Sequence, residues 1–266
     1  MSSVVARNRV RESGVRSGRP MVFVHGFGCD QAMWRFVAPD FEVDHRVVLL
    51  DHVGAGNSDL SAYDPEKYSS LSGYAADIVE ICRELELTDI VLVGHSVSAM
   101  IGVLAVQQAP ELFGALIMVG PNPRYVDDGD YIGGFSRTDI VGLLDSLDSN
   151  HLGWSTHMAP VIMGNPEHPE LAGELTNSFC RTDPDIARQF ARVTFLSDNR
   201  ADLASITVPT LVLQCSQDVI APDAVGQFVH EHVPGSTLTR LRATGHVPQL
   251  SAPEETTAAI RAFLTG

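Results

Sequence analysis

The chain has 266 residues, 44% of them hydrophobic, which suits one domain of the α/β class with room for an insertion. Eighteen Lys and Arg residues against 33 Asp and Glu residues give a net charge of −15, which disfavours binding to the phosphates of nucleic acid. No stretch approaches the length of a membrane span, and the first twenty residues contain no apolar run typical of a signal peptide. We therefore expect a chain that binds neither nucleic acid nor a membrane.

Cysteine and histidine usage bears on location and on metal binding. The four cysteines are Cys29, Cys82, Cys180 and Cys215. Their spacing matches neither a disulfide framework nor a metal motif, so we expect reduced thiols and a cytoplasmic protein. His230 and His232 are two positions apart on a predicted helix and therefore face different sides, which makes them a poor pair of metal ligands. We expect no metal and no organic cofactor.

Hydrophobic patterning predicts an alternation of strands and helices. The predicted strands lie near residues 4–11, 20–25, 45–51, 89–94, 114–120, 208–215 and 236–242. Helical periodicity follows the later strands, near residues 72–87, 97–109, 223–233 and 253–264. This alternation is typical of a mostly parallel sheet with helices on both of its faces, so the predicted fold class is α/β.

Residues 122–200 break the alternation, because they contain no convincing strand. Their predicted helices lie near residues 136–149, 150–163, 169–180 and 184–197. An all-helical insertion after the fifth predicted parallel strand would cover the catalytic end of the sheet as a lid. We therefore expect a core domain formed by residues 1–121 and 201–266, with a helical lid at residues 122–200.

Ser96 lies between a predicted strand and a predicted helix. The strand ends at Gly94, and the small residues after Ser96 are compatible with a helix. This order is typical of a nucleophile elbow, G-x-S-x-G, in which a sharp turn pushes the serine hydroxyl out of the backbone. Ser98 replaces the last glycine, and serine is small enough for the strand and helix to approach each other. An ordinary small-residue turn is the alternative explanation of this motif taken alone.

A serine hydroxyl is a poor nucleophile unless a base is held beside it. A continuous apolar run predicts a buried strand that ends just before Asp218. A segment of alternating polar and apolar residues predicts a half-buried strand that leads to His246. We expect His246 to be the base and Asp218 the acid that orients it, with Asp127 or Asp128 as the alternative acid.

A further element of the site follows the predicted strand near residues 20–25. The segment His25-Gly26-Phe27-Gly28 begins there, and its glycines let the backbone turn so that an N–H points at a reacting carbonyl. We expect the amides of Phe27 and Val97 to form an oxyanion hole. An ordinary turn is the alternative for the His-Gly pair alone. The coincidence of oxyanion loop, serine, acid and base in this order favours the catalytic interpretation.

The order Ser, Asp, His is that of the α/β-hydrolases, and the chain resembles this superfamily over essentially its whole length. Within it, the chain resembles bacterial stress-response regulators of the RsbQ type and, more distantly, plant strigolactone and karrikin receptors. The more specific segments are Gly26-Phe27-Gly28-Cys29-Asp30-Gln31 and Gly94-His95-Ser96-Val97. The departures from the pattern are Ser98 and the residues Val247-Pro248-Gln249 after the histidine.

The predicted lid is rich in aromatic residues. As a set they indicate a mostly apolar pocket with few polar groups, although each of them could instead pack the lid helices on one another. The resemblance implies that this region lines the pocket. We expect the pocket to be lined by Phe27, Phe135, Trp154, Met158 and Phe195.

These residues predict a serine hydrolase that cleaves a small hydrophobic ester or lactone through an acyl-enzyme intermediate. The alternative, which the resemblance implies, is a signalling protein or receptor that hydrolyses its ligand slowly and contacts a protein partner through the lid. The same three side chains would also serve a perhydrolase or a C–C bond hydrolase. A haloalkane dehalogenase would need Asp where this chain has Ser96.

Overall fold

A seven-stranded sheet forms the centre of the computed structural model, which describes residues 3–266. Its strands are β1 (Arg11–Gly14), β2 (Arg19–Val24), β3 (His45–Leu50), β4 (Ile90–His95), β5 (Phe113–Val119), β6 (Thr210–Gln217) and β7 (Thr237–Thr244). The spatial order is β1-β3-β2-β4-β5-β6-β7, and only β1 runs antiparallel to its neighbour within the described sheet. The predicted α/β class with a mostly parallel sheet is confirmed.

Helices connect these strands. They are α1 (Val4–Arg7), α2 (Ala38–Phe41), α3 (Leu71–Glu84), α4 (Val97–Gln108), α5 (Arg137–Ser149), α6 (His151–Met163), α7 (Pro169–Arg181), α8 (Pro184–Phe195), α9 (Asp223–His232), α10 (Pro248–Ser251) and α11 (Pro253–Thr265). Five short 3-10 helices lie at Gln31–Trp34, Leu60–Ala62, Lys67–Ser69, Pro110–Leu112 and Arg200–Ser205. No helix within residues 3–266 combines the length and the apolar character needed to cross a bilayer.

Each face of the sheet is buried under helices. Side chains alternate along β2, so that Met21 and Phe23 belong to one buried cluster while Val22 and Val24 belong to the other. Helices α3, α4 and α9 cover the face of Val22, and α2 and α11 cover the face of Met21. Burial on both faces explains why the parallel strands appear in the sequence as continuous apolar runs.

Four consecutive helices, α5 to α8, lie between β5 and β6 and are called the insert helices below. Their bounds agree with the four predicted helices to within two residues. Residues 122–136, by contrast, are not helical and carry two isolated β-bridges, Val126 to Phe135 and Asp128 to Tyr131. The helical segment therefore begins at Arg137 rather than at residue 122. The division of the chain into a core domain and a lid stays a prediction.

The predicted strand at residues 4–11 is wrong, because α1 occupies Val4–Arg7 and β1 begins only at Arg11. The β-branched pair at residues 4 and 5 favours a strand locally. Two contacts favour the helix instead: Ser3 caps it by accepting from the amide of Ala6, and Arg7 forms an ion pair with Asp77 on α3. Tertiary contacts thus outweigh local propensity in this segment.

Candidate active site

Ser96 lies on the turn between β4 and α4, with φ 57° and ψ −125°. A residue other than glycine adopts a positive φ only when its surroundings hold it there. The close approach of β4 and α4 holds Ser96 in this conformation. The approach is so close that a Cβ at Gly94 would lie 2.2 Å from the Ser98 carbonyl oxygen. The amide of Ser96 also donates to the Val119 oxygen at 2.8 Å. The backbone therefore presents the Ser96 side chain beyond the carboxyl edge of the sheet.

Ser96, His246 and Asp218 form one hydrogen-bonded row, although β4, β7 and β6 bring them from distant parts of the chain. The His246 Nε2 atom lies 2.8 Å from Ser96 Oγ, and its Nδ1 atom lies 2.6 Å from Asp218 Oδ2. All three residues are buried. Asp218 Oδ1 accepts from the amides of Ile220 and Ala221, at 2.8 and 3.0 Å. The carboxylate is thereby fixed with its second oxygen directed at the imidazole.

The loop that carries His246 is anchored to the insert helices. The His246 amide donates to the Ile162 carbonyl oxygen near the end of α6, at 2.9 Å. Gly245 has φ 76°, and a Cβ there would lie 1.8 Å from the Met163 carbonyl oxygen. Only glycine allows this close approach between the loop and α6. The orientation of the imidazole therefore depends on where the end of α6 lies.

His95, the neighbour of Ser96, also supports His246. Its Nε2 atom donates to the His246 carbonyl oxygen at 2.7 Å, and the side chain is 2% exposed. Burial, and secondarily the nearby His246, lowers the pKa of His95 to about 3. The side chain is therefore neutral at physiological pH, and its one ring proton is committed to this hydrogen bond.

We expect the depressed pKa of His95 to make folding sensitive to acid. Above about pH 6.5 the ring is neutral in both states, whereas between pH 6.5 and about pH 3 only the unfolded chain takes up the proton. The free energy of unfolding should therefore fall by about 1.4 kcal/mol for each pH unit below 6.5 on account of this residue. Denaturant unfolding of wild type and His95→Gln at several pH values measures it. Equal slopes in the two proteins would contradict the expectation.

The loop after β2 turns directly against Ser96. A Cβ at Gly26 would lie 2.7 Å from His95 Nδ1 and 3.1 Å from Ser96 Cβ. Gly28 has φ 69° and completes the turn. Phe27 lies between these glycines, and Val97 is the first residue of α4, where helix geometry leaves the backbone N–H without a partner inside the helix. Both residues predicted for the oxyanion hole thus flank Ser96; their role stays a proposal.

Ser98, the departure from the glycine of the elbow motif, ties α4 to this loop. Its hydroxyl donates to the His25 carbonyl oxygen. The hydroxyl has one proton, so it must accept from His52, whose Nε2 atom lies 2.8 Å away. Burial lowers the pKa of His52 well below its ordinary value, which keeps that ring neutral. A serine therefore fits this position and adds a hydrogen bond that glycine would lack.

A narrow, mostly apolar cavity opens at Ser96. The residues that line it are Phe27, Cys29, His95, Ser96, Tyr125, Ile162, Leu175, Phe179, Thr194, Phe195, Ile220, His246 and Val247. The Tyr125 hydroxyl interacts with Ser96, and burial raises the pKa of this phenol, so it stays protonated. Burial also raises the pKa of the Cys29 thiol, which makes it a poor nucleophile at neutral pH. The reactive group that this cavity presents is therefore the Ser96 hydroxyl.

The structure places the five predicted pocket residues in two groups. Phe27 and Phe195 line the cavity, whereas Phe135, Trp154 and Met158 do not and belong to the surrounding hydrophobic cluster. Trp154 lies behind the wall, because its ring packs edge-to-face on Phe27 with centroids 6.0 Å apart. The interpretation of these three as lining residues is corrected accordingly.

The pocket residues that sequence reasoning missed come mainly from the insert helices. Leu175 and Phe179 lie four positions apart on α7, so they share one face of that helix and reach the cavity together. This spacing is the signal that could have found them. Tyr125 lies in the non-helical segment before α5, where no periodicity points to the pocket.

The carboxylates of the two alternative acids, Asp127 and Asp128, bind groups other than His246. Asp127 Oδ1 accepts from the amides of Gly133 and Gly134, and Asp128 pairs with Arg200 at 2.8 Å. Neither carboxylate is therefore available to orient His246. In the described part of the chain, residues 3–266, no three His, Cys, Asp or Glu side chains are grouped so that they could hold a metal ion.

Comparison with known proteins agrees with this geometry. Residues 21–260 match the model of the Alpha/beta hydrolase family. The chain is 38% identical over 239 residues to karrikin insensitive 2 receptor IA of Petunia hybrida, across 90% of this chain and 87% of that protein. It is 37% identical over 238 residues to strigolactone esterase D14 of Arabidopsis thaliana, across 89% of each.

A solved hydrolase from Oleispira antarctica superposes with a TM-score of 0.96 at 39% identity, across 99% of this chain and 96% of that one. The expected resemblance to the plant receptors is confirmed, while the RsbQ-type resemblance stays a prediction. The family model spans most of β2, all of β3 to β7 and all the residues of the hydrogen-bonded row. The chain belongs to the alpha/beta hydrolase family.

Proposed function

We propose that the protein is a serine hydrolase that cleaves a small hydrophobic ester or lactone. The observation that carries the proposal is the buried row of Ser96, His246 and Asp218, whose serine opens into an apolar cavity. In the alternative receptor role, the same three residues would hydrolyse the ligand slowly. The ligand-bound protein would then be the functional state.

Acylation follows from the direction of the hydrogen bonds. His246 Nε2, 2.8 Å from Ser96 Oγ, takes the hydroxyl proton as the oxygen attacks the carbonyl carbon. Asp218 accepts the Nδ1 proton of the imidazole, fixes its tautomer and stabilises its charged form. The amides of Phe27 and Val97 stabilise the oxyanion, and the protonated imidazole then gives its proton to the leaving alkoxide.

Deacylation uses the same groups with water in place of the substrate alcohol. His246 removes a proton from the attacking water, and the oxyanion forms again at the two amides. The tetrahedral intermediate then collapses, and Ser96 Oγ leaves with the proton returned by the imidazole. For a lactone, the ring opens in the first half of this cycle, and the hydroxyl end stays covalently attached to the acyl group.

The lining of the cavity supports a small apolar substrate. Phe27, Ile162, Leu175, Phe179 and Phe195 surround the space in front of the serine with hydrocarbon. A charged substituent there would be desolvated without a counter-charge, which costs several kcal/mol. The expected substrate therefore carries apolar groups around its reactive carbonyl.

The catalytic residues are buried and the cavity in front of Ser96 is narrow, so a movement of the insert helices would admit a substrate. Helix α7 is held to the loop after β2 by the ion pairs Arg35 to Glu174 and Arg181 to Asp30. These pairs are partly exposed, and such surface pairs contribute only about 0–1 kcal/mol each. The α7 segment would act as the moving part of a lid, and its opening would also break the hydrogen bond from Ser178 to the Gly28 carbonyl oxygen and expose the buried Leu175 and Phe179.

A receptor role is the second candidate, because the similarity to three karrikin insensitive 2 receptors, at 37–38% identity, extends over about nine-tenths of the chain. A partner would contact the insert helices, since these helices cover the cavity and respond to its contents. Repeated turnover by the isolated protein distinguishes the two roles, because an enzyme needs no partner to release its product.

We expect the purified protein to hydrolyse a short-chain ester or a small lactone many times per molecule. A progress curve with substrate in large excess over protein measures this. The control is Ser96→Ala, which should retain the fold and lose the signal. One product per protein molecule followed by a stall, across several esters and lactones, would favour the receptor and contradict the hydrolase.

A further inference from the structure

Thr194 is a polar residue of the cavity with no role in the mechanism above. It lies near the end of α8, is 1% exposed, and lines the same cavity as Ser96. Its Oγ1 atom is buried and has no hydrogen-bond partner among residues 3–266. A buried hydroxyl without a partner is unfavourable, so a hydrogen-bonding group of a molecule bound in the adjoining cavity would stabilise it.

Other serine and threonine hydroxyls of the insert helices bond to the backbone of their own helix, whereas the Thr194 hydroxyl does not. Serine or threonine on a helix commonly donates to the carbonyl four residues earlier. Four residues of α5, α6 and α7 make this bond: Ser149, Ser155, Thr156 and Thr176. The corresponding acceptor for Thr194 is the carbonyl of Phe190, and no such bond is formed. The donor and acceptor of the Thr194 hydroxyl are therefore unused among residues 3–266.

The other polar groups of the cavity are engaged or face elsewhere. Ser96 and His246 bond to each other, the Tyr125 hydroxyl interacts with Ser96, and His95 Nε2 donates to the His246 backbone. His95 Nδ1 also lacks a partner, but it packs against the backbone at Gly26, within 2.7 Å of where a Cβ would lie. Thr194 is thus a residue of the cavity wall whose buried, unpartnered hydroxyl takes no part in holding the catalytic row.

We propose that Thr194 binds a second oxygen of the substrate, away from the carbonyl that Ser96 attacks. This inference rests on the proposed hydrolase function. A threonine hydroxyl both donates and accepts, so the chemical class is an ester or lactone that carries an ether, carbonyl or hydroxyl oxygen in its otherwise apolar part. Apart from the catalytic row, His95, Tyr125 and Cys29, the wall is hydrocarbon, so this contact fixes the orientation of the substrate in the cavity.

The test compares matched 4-nitrophenyl esters in which an ether oxygen replaces one methylene of the acyl chain. Methoxyacetate, 3-methoxypropanoate and 4-methoxybutanoate are paired with butanoate, pentanoate and hexanoate. Thr194→Val removes the hydroxyl at nearly constant volume, and Thr194→Ser keeps the hydroxyl and removes the methyl group. For each pair, the measured quantity is the ratio of kcat/KM between the ether ester and the alkyl ester. Comparing this ratio between proteins cancels the intrinsic reactivity of the esters.

We expect Thr194→Val to lower this ratio about 5- to 10-fold for at least one pair, the effect of one lost hydrogen bond. Thr194→Ser should keep the ratio within about 2-fold of wild type, because the hydroxyl remains. A ratio that Thr194→Val leaves unchanged in every pair would overturn the proposal. So would an equal fall with Thr194→Ser, since this would assign the effect to packing.

A second readout needs no turnover. In the Ser96→Ala background, the ether ester should raise the melting temperature more than its alkyl partner, and Thr194→Val should remove the difference. If wild type hydrolyses none of the esters but this difference is present, the hydrolase proposal fails and the Thr194 inference stands. If the esters are hydrolysed and neither readout responds to Thr194→Val, the inference fails and the hydrolase proposal stands.

Discussion

Asp218→Asn is expected to fold normally and to lose about 10⁴-fold in kcat on a simple ester such as 4-nitrophenyl acetate. The carboxylate accepts the Nδ1 proton of His246 at 2.6 Å, which leaves Nε2 free to take the proton of Ser96. An amide at this position can donate its own proton to Nδ1, and the imidazole then holds its proton on Nε2, where it cannot act as a base. The loss therefore falls on kcat rather than on binding, and steady-state kinetics separates the two.

Asp127→Asn is the matched control for this substitution. Asp127 follows β5, the place of the alternative acid, yet its carboxylate caps the amides of Gly133 and Gly134. An asparagine oxygen can still accept from those amides, so the fold and most of the activity should be kept. Near-normal rates in Asp218→Asn together with a large loss in Asp127→Asn would reverse the assignment of the acid.

The sequence predicts the carboxyl edge of the sheet well, because each element there has a local signal. Continuous apolar runs locate the buried parallel strands, and Ser96, Asp218 and His246 each follow the end of one strand. Parallel strands bring their carboxyl ends to one edge of the sheet. The proximity of these three residues can therefore be predicted even though the individual contacts between them are unknown. The short hydrogen bonds of the row are the consequence.

The wall of the cavity is predicted poorly, because several apolar side chains on each insert helix fit a buried position equally well. Periodicity indicates which face of a helix is buried and says nothing about what that face packs against. Trp154 and Phe179 illustrate the ambiguity: both are aromatic and buried, their rings lie 5.4 Å apart, and only Phe179 reaches the cavity. The angles at which the helices cross decide between them.

The support beneath the catalytic row is also hidden from the sequence. His95 bonds to the backbone of His246, and Ser98 bonds to the backbone at His25 and to the ring of His52. These contacts join α4, the loop after β2 and the loop after β7, which are more than sixty residues apart in the chain. In the sequence His95 stands only as a variable position of the elbow motif, and Ser98 only as a departure from its last glycine. Because of these hydrogen bonds, a displacement of either loop is expected to displace the turn at Ser96 as well.

Gly26→Ala tests this coupling, and we expect a loss of at least about 10²-fold in kcat, comparable to the removal of an oxyanion-hole donor. The added Cβ would lie 2.7 Å from His95 Nδ1 and 3.1 Å from Ser96 Cβ, so a neighbour must shift. His95 cannot turn away freely, because its Nε2 atom is bonded to the His246 backbone at 2.7 Å. Relief of the clash therefore displaces either the Phe27 amide or the loop that carries the base.

Gly142→Ala is the control, since a Cβ at that position on α5 meets nothing within 4 Å. It should leave kcat unchanged and stabilise the helix by about 0.5–1 kcal/mol, as alanine restricts the unfolded chain more than glycine does. Circular dichroism establishes that both variants fold, and ester hydrolysis gives the comparison. A folded Gly26→Ala protein with wild-type kcat would mean that the loop relaxes without moving Phe27 or His246. The coupling through His95 between this loop and the loop that carries His246 would then be contradicted, because the added methyl group would have been accommodated without disturbing the catalytic residues.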